Sequence, residues 1–236
     1  MLNISVVILC GGKGERLQKV ISDRPKPLAE IGGRPFLDIL VDYVSGFGFR
    51  RYILCTGYMK EAIESYYSRK KSSCEIILSE ENVPLDTAGA IKNAEKYIQS
   101  DPFLVLNGDS FCPLDISQLL CFHRGKGALL SIALTEIDNK DDFGQITLDS
   151  YDRIIGFKEK IGGDNKNFVN AGVYCFTKEI LSLIPPETKY SLEYDLFPKL
   201  NKEGFYGFVT NEKLIDIGVP ERYRHAEKLL GKYINR

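Results

Sequence analysis

Ile4-Ser5-Val6-Val7-Ile8-Leu9-Cys10-Gly11-Gly12-Lys13-Gly14, near the amino end of a 236-residue chain, is the stretch that decides the fold. Residues 4–10 contain one polar side chain, Ser5, and lack the alternation of a half-exposed strand. They predict a strand covered on both faces. The glycines end it at once. Without a Cβ, Gly11, Gly12 and Gly14 can turn their amides toward an anion. Lys13, Arg16 and Lys26 add three cations to the same region, a set suited to a triphosphate.

A strand buried on both faces needs a layer of helices on each side. Leu37, Leu40, Val41 and Val44 fall at helical spacing before Gly46 and Gly48, which predicts the first helix. Residues 52–55 read as a strand, 61–67 as a helix, 75–78 as a strand and 87–98 as a helix. Residues 103–106 form a further strand that closes on Asn107, Gly108 and Asp109. This alternation predicts right-handed crossovers and a parallel sheet. Past Asp115, residues 129–134, 144–148, 154–157 and 169–176 read as strands with fewer helices between them, which extends the core into a mixed sheet. A last helix over residues 220–233 carries an apolar stripe of Tyr223, Ala226, Leu230 and Tyr233. With no internal repeat and no low-complexity linker, residues 1–236 are expected to form a single domain.

The bulk numbers narrow the function. Lys and Arg total 31 against 32 Asp and Glu, a formal net charge of -1, which supplies no electrostatic footprint for nucleic acid. No apolar run approaches the roughly 18 residues of a membrane span. The start lacks the basic region of a signal peptide, and the expected location is the cytoplasm with no membrane partner. Cys10, Cys55, Cys74, Cys112, Cys121 and Cys175 form no CxxC pair, and Cys10, Cys55 and Cys175 sit in apolar runs. They are expected to be structural thiols.

Two common glycine motifs fail here. GxxxxGK[ST] is absent, and Leu17 stands where GxGxxG needs its third glycine. With Pro25-Lys26-Pro27, however, the loop resembles the sugar-1-phosphate nucleotidyltransferase signature, GGxGxRL followed by PKP. The matching residues are Gly11, Gly12, Gly14, Arg16, Leu17, Pro25, Lys26 and Pro27, and the likeness continues in order through nearly the whole chain. The resemblance implies a three-layer, Rossmann-like α/β nucleotidyltransferase fold with a mixed, mostly parallel central sheet. It also implies Mg2+-dependent transfer of a nucleoside monophosphate from an NTP to a sugar 1-phosphate, with release of pyrophosphate. Arg16 would hold the departing β- and γ-phosphates and Lys26 the phosphates under exchange, with Leu9 and Gly108 beside the nucleotide.

The same resemblance assigns roles further along. In Leu85-Asp86-Thr87-Ala88-Gly89-Ala90-Ile91, the loop would contact the base and Gly89 would leave room for the nucleotide; Asp86 stands where the family usually has glycine. Glu81 falls where thymidylyl- and uridylyltransferases commonly carry glutamine. An ionised carboxylate only accepts hydrogen bonds, and guanine offers adjacent N1–H and N2–H2 donors, so Glu81 is expected to read guanine. The alternative is a solvent-facing glutamate in the acidic stretch Ser79-Glu80-Glu81-Asn82. Asp109 and Asp216 each follow an apolar strand, and the resemblance makes them the magnesium ligands, in keeping with that ion's preference for hard oxygen. Lys160 would bind the sugar phosphate, and Glu159 the sugar hydroxyls. Asn170 and Gly172 would lie against the sugar ring, and Glu193 would accept from a hydroxyl. His123 and His225 are expected to have no part in the chemistry.

Within the family, Ser191-Leu192-Glu193-Tyr194-Asp195-Leu196-Phe197-Pro198, the Phe205-Tyr206-Gly207-Phe208 stretch, Ile215-Asp216-Ile217-Gly218-Val219-Pro220, Lys19 and Ile21 resemble the bacterial D-glycero-D-manno-heptose-1-phosphate guanylyltransferases. That likeness implies GTP and a heptose 1-phosphate as substrates. A uridylyl- or thymidylyltransferase acting on a hexose or muramyl 1-phosphate, and a non-catalytic nucleotide-sugar-binding homologue, stay open, as does a homo-oligomer.

Overall fold

The computed structural model describes residues 2–136, 144–158, 168–200 and 204–234. The first half runs β1 (Leu2–Leu9), the short β2 (Glu30–Ile31) and β3 (Arg34–Pro35), α1 (Phe36–Ser45), β4 (Phe49–Thr56), α2 (Lys60–Arg69), β5 (Glu75–Glu80), α3 (Asp86–Asn93) and β6 (Phe103–Asn107). The second runs β7 (Ser110–Phe111), α4 (Ile116–Lys126), β8 (Leu130–Glu136), β9 (Gln145–Leu148), β10 (Ile154–Lys158), β11 (Phe168–Phe176), β12 (Phe205–Thr210), β13 (Ile215–Asp216) and α5 (Pro220–Ile234). Nine strands form the main sheet, in the order β10-β9-β11-β6-β1-β4-β5, with β8 against β11 and β12 against β8. Followed from β1 through its ladders, β4, β5, β6, β8, β9 and β12 run one way, and β10 and β11 the other. The sheet is therefore mixed and mostly parallel, as the alternating sequence implied.

The unbroken apolar run of β1 is explained by its place between β4 and β6. Val6, Val7 and Ile8 are each wholly buried. Because successive side chains leave a strand on opposite faces, Val6 and Ile8 feed one layer and Val7 the other. Val6 and Ile8 pack with residues of α1, α2, α4 and α5, among them Leu40, Ile63, Leu119 and Leu230. Val7 packs with Ile53, Val105 and Tyr174 of the sheet and Ile91 of α3. Burying each such side chain stabilises the fold by about 1.5–3 kcal/mol.

Two differences bear on the core, besides helix α4 and the short β2–β3 and β7–β13 ladders, none of which the sequence reading anticipated. The helix expected over residues 87–98 stops at Asn93 and is followed by a 3-10 turn, Glu95–Tyr97. The Asn93 side chain ties this end to β5, its Nδ2 donating to Ser79 Oγ at 3.2 Å and to Glu80 O at 3.0 Å. The second difference is β12, which pairs parallel to β8 from Phe205↔Leu130 to Thr210↔Thr135. Gly207 lets it lie flat there, since a Cβ would come within 2.5 Å of Leu134 Cδ1.

All six thiols are free, and Cys10, Cys55, Cys112 and Cys175 are buried. Burial pushes these four thiols up, Cys112 to about 12, so they remain protonated, as expected of structural thiols. His123 is buried between Ser131 Oγ (3.0 Å from Nδ1) and Thr177 Oγ1 (3.1 Å from Nε2). The Thr177 hydroxyl donates to Ala128 O, so Nε2 carries the proton and Nδ1 accepts from Ser131. Desolvation lowers the His123 pKa to about 4, and the ring is neutral and structural. His225 is exposed, its Nδ1 3.1 Å from Glu221 O. Among the described residues, no helix is long and apolar enough to cross a membrane.

Candidate functional site

The carboxyl ends of β1, β4 and β6 meet at one edge of the sheet, where ligands gather in open α/β folds. Their closeness requires glycine. Gly108 N donates to Leu9 O at 3.0 Å, and a Cβ on Gly108 would stand 2.5 Å from that same oxygen. Gly57, directly after β4, faces the loop: its Cβ would come within 3.0 Å of Gly11 O, which accepts from Tyr58 N at 3.1 Å. Gly14 holds a left-handed φ of +62° beside the Lys26 side chain, a conformation that favours glycine. The result is a cavity of about 710 Å³. Leu9, Gly11, Gly12, Gly14 and Gly108 line it together with Lys26, Asp109, Glu81, Asp86 and Thr87. A neighbouring hollow of about 410 Å³ shares Lys13, Gly14 and Lys26 and adds Glu15, Arg16 and Gly218.

Glu81 is not solvent-facing. Its amide is anchored to Thr56 O at 2.9 Å, and its Oε2 accepts from Leu85 N at 2.9 Å. Oε1 points at the loop, where a Cβ on Gly11 would lie 3.1 Å away. Burial raises the Glu81 carboxyl pKa and the charge of Asp86 adds to this, while the Leu85 amide opposes it.

Asp86, at the family's glycine position, has φ +61°. The left-handed backbone explains why glycine suits the site. Aspartate holds it by accepting from its neighbour's amide, Thr87 N, at 2.8 Å. Gly89 does not line the cavity. The room beside it is taken by backbone: a Cβ would stand 2.5 Å from Thr188 O, and Gly89 N donates to Tyr190 O at 2.9 Å. It is a packing glycine that seats α3 against the 188–190 segment. Thr87 then links across, its Oγ1 accepting from Leu192 N at 2.7 Å and donating to Glu193 Oε2 at 3.3 Å. Glu193 is thereby tied to Thr87 of the cavity wall, from the π-helical turn Leu192–Leu196 capped by Ser191.

Asp109 and Asp216 come together through the small β7–β13 ladder, which sets Asp216 opposite Ser110 and lets Ile217 N donate to Asp109 O at 3.0 Å. Each carboxylate meets a cation: Lys26 Nζ lies 2.6 Å from Asp109 Oδ2, and Arg222 Nη1 lies 3.1 Å from Asp216 Oδ1. Gly172 interrupts β11 at a register irregularity with φ +72°, packed on Ser110 and Asn107. Asn170 braces this bulge, accepting from Gly172 N at 2.9 Å and donating to Tyr174 OH at 2.8 Å. Arg16 is exposed at the start of the 3-10 turn Leu17–Lys19. Glu159 and Lys160 lie outside the described residues.

Sequence reasoning missed Gly57, Tyr58 and Lys189 on the cavity wall, and Arg222 beside Asp216. Gly57 had a signal, a glycine straight after a buried strand, just as Gly11 follows Cys10. Lys189 had none.

The nucleotidyl transferase family model matches residues 5–232. The chain is 38% identical over 234 residues to the D-glycero-alpha-D-manno-heptose 1-phosphate guanylyltransferase of Aneurinibacillus thermoaerophilus, covering 98% of this chain and 100% of that protein. It is 34% identical over 222 residues to the protein of the same name from Campylobacter jejuni, covering 94% and 98%. The crystal structure of HddC from Yersinia pseudotuberculosis complexed with GMP-PN matches with a TM-score of 0.83 at 36% identity, over 96% of this chain and 99% of that one. From the loop signature through the sheet to these relatives the conclusion is the same: the chain belongs to the nucleotidyl transferase family.

Proposed function

We propose that this chain transfers GMP from GTP to D-glycero-α-D-manno-heptose 1-phosphate, giving the GDP-heptose and pyrophosphate. The observation that carries the reading is the single cavity in which the glycine loop, Lys26, Asp109 and the half-buried Glu81 converge. Full-length similarity to two guanylyltransferases named for this heptose supports the choice of substrates.

The nucleophile, an oxygen of the sugar phosphate, is already ionised, so no general base is needed. Catalysis is positioning together with charge neutralisation. Lys13, Arg16 and Lys26 hold the triphosphate where the two hollows join, and the loop amides of Gly11, Gly12 and Gly14 face it. Glu81 accepts from guanine N1–H and N2–H2. Glu193 and Asn170, with Gly172, shape the sugar side, and Lys160 and Glu159 complete it.

Asp109 and Asp216 fit a magnesium site: two hard carboxylates on neighbouring segments, where this ion takes one or two carboxylates plus water and phosphate oxygens. When bound, Mg2+ would neutralise charge on the reacting phosphates. The six free thiols suit a reducing cytoplasm. The reading is tested by incubating the protein with GTP, Mg2+ and the heptose 1-phosphate and identifying products by mass spectrometry. GDP-heptose with stoichiometric pyrophosphate is expected; GDP with free phosphate would refute transfer to the sugar.

A further inference from the structure

The two carboxylates proposed for the metal are held by cations of the chain itself. Lys26 contacts Asp109 with its side chain only 12% exposed, and Arg222 contacts Asp216, whose side chain is 18% exposed. Gly218 sits among them. A Cβ there would lie 2.9 Å from Asp216 Oδ1 and 3.1 Å from Lys26 Nζ, so those two atoms are at most 6.0 Å apart, the sum of both distances. Four charges, two of each sign, therefore meet in one small volume.

Lys26 belongs to the phosphate loop, but Arg222 had no assigned role. It stands in the first turn of α5, six residues after Asp216, and engages the same Oδ1 that accepts from Gly218 N at 2.9 Å. Partial burial leaves these pairs less screened by solvent than surface pairs.

We propose that Arg222 is a resident counter-cation of the metal site, acting through Asp216, and that with Lys26 it keeps the carboxylate pair neutral until a nucleotide arrives. A bare divalent ion meets a cluster with no net charge and gains little. A nucleotide with its metal brings phosphate oxyanions that draw the cations away, while the ion takes the carboxylates. Metal entry is thereby tied to nucleotide entry. The inference rests on the reading of Asp109 and Asp216 as metal ligands.

The test is titration of the full-length, nucleotide-free protein with Mn2+, following free ion by electron paramagnetic resonance, with thermal unfolding to check each variant's fold. Arg222→Ala is expected to tighten Mn2+ binding by about two- to fivefold, the scale of one partly exposed ion pair. Arg222→Lys, which keeps the charge, should bind as the parent does. Unchanged or weaker binding in a folded Arg222→Ala protein overturns the inference while leaving the metal site intact. Mn2+ binding that survives both Asp109→Ala and Asp216→Ala removes the metal reading, and this inference with it.

Discussion

Gly172→Ala is the substitution whose consequences the structure defines most fully. The residue has φ +72°, and a Cβ there would overlap Ser110 Oγ and come within 3.1 Å of Asn107 Nδ2. A non-glycine residue in left-handed backbone is strained by about 1–2 kcal/mol. Forcing an extra methyl into a packed site adds about 1–3 kcal/mol. Together these give a loss of about 2–5 kcal/mol, and at about 2–4 °C per kcal/mol for a chain of this size the midpoint should drop by about 4–20 °C. Ser110 Oγ is buried and has no hydrogen-bond partner among the described residues. Ser110→Gly therefore removes the clash without breaking a bond, and the double variant should regain about 1–3 kcal/mol while keeping the backbone strain. Denaturant unfolding of the four proteins measures this cycle. Because Ser110 lies opposite Asp216, Gly172→Ala should also lower turnover. A Gly172→Ala protein within about 0.5 kcal/mol of the parent, or a double variant no more stable than the single, would refute the packing argument.

Glu81→Ala should weaken GTP binding by about 1.5–3 kcal/mol, roughly 10- to 150-fold, and weaken ITP binding less, because hypoxanthine lacks the N2 donors; equal losses measured by calorimetry would exclude base reading. The same carboxyl has a raised pKa in the fold, so the folded protein binds its proton more tightly and stability falls as pH rises through that range. Glu81→Gln should lack that fall in pH-dependent unfolding. His123 contributes with the opposite slope: its folded pKa of about 4 is below 6.5, so its contribution is full above pH 6.5 and lost as pH falls toward 4. At about 1.36 kcal/mol per pH unit that is about 3 kcal/mol, and it should be missing from the acid limb of a His123→Asn protein. Asp109→Ala or Lys160→Ala should reduce kcat by about 100-fold or more, while folded His123→Ala retains near-parental turnover at neutral pH; comparable rates in all three would contradict the site.

The parts of the fold legible in the sequence were those with local causes. The run of Val6, Val7 and Ile8 announced a central strand because both faces of β1 are covered, and the loop was announced by Gly11, which packs against the Gly57 backbone, and by Gly14, which holds a left-handed φ of +62°. Asp86 was visible as a departure from the family, and its positive φ supplies the reason for glycine there. Long-range arrangements were not legible from local pattern, and the pairing of Asp109 with Asp216 came only through the family resemblance. Asp109 and Asp216 are joined by two-residue strands too short to show a period. Arg222 on α5 belongs to no motif, and only the fold places it against Asp216. Gly89 shows the converse: its glycine is required by Thr188 O, a contact that no local pattern announces.

The most direct measurement is pyrophosphate release with Mg2+, crossing GTP, UTP, dTTP, CTP and ATP against heptose, mannose and glucose 1-phosphates. The account predicts that kcat/KM for GTP with D-glycero-α-D-manno-heptose 1-phosphate exceeds every other pair. Turnover led by UTP or dTTP with a hexose phosphate would contradict it, as would nucleotide binding with no pyrophosphate released from any pair.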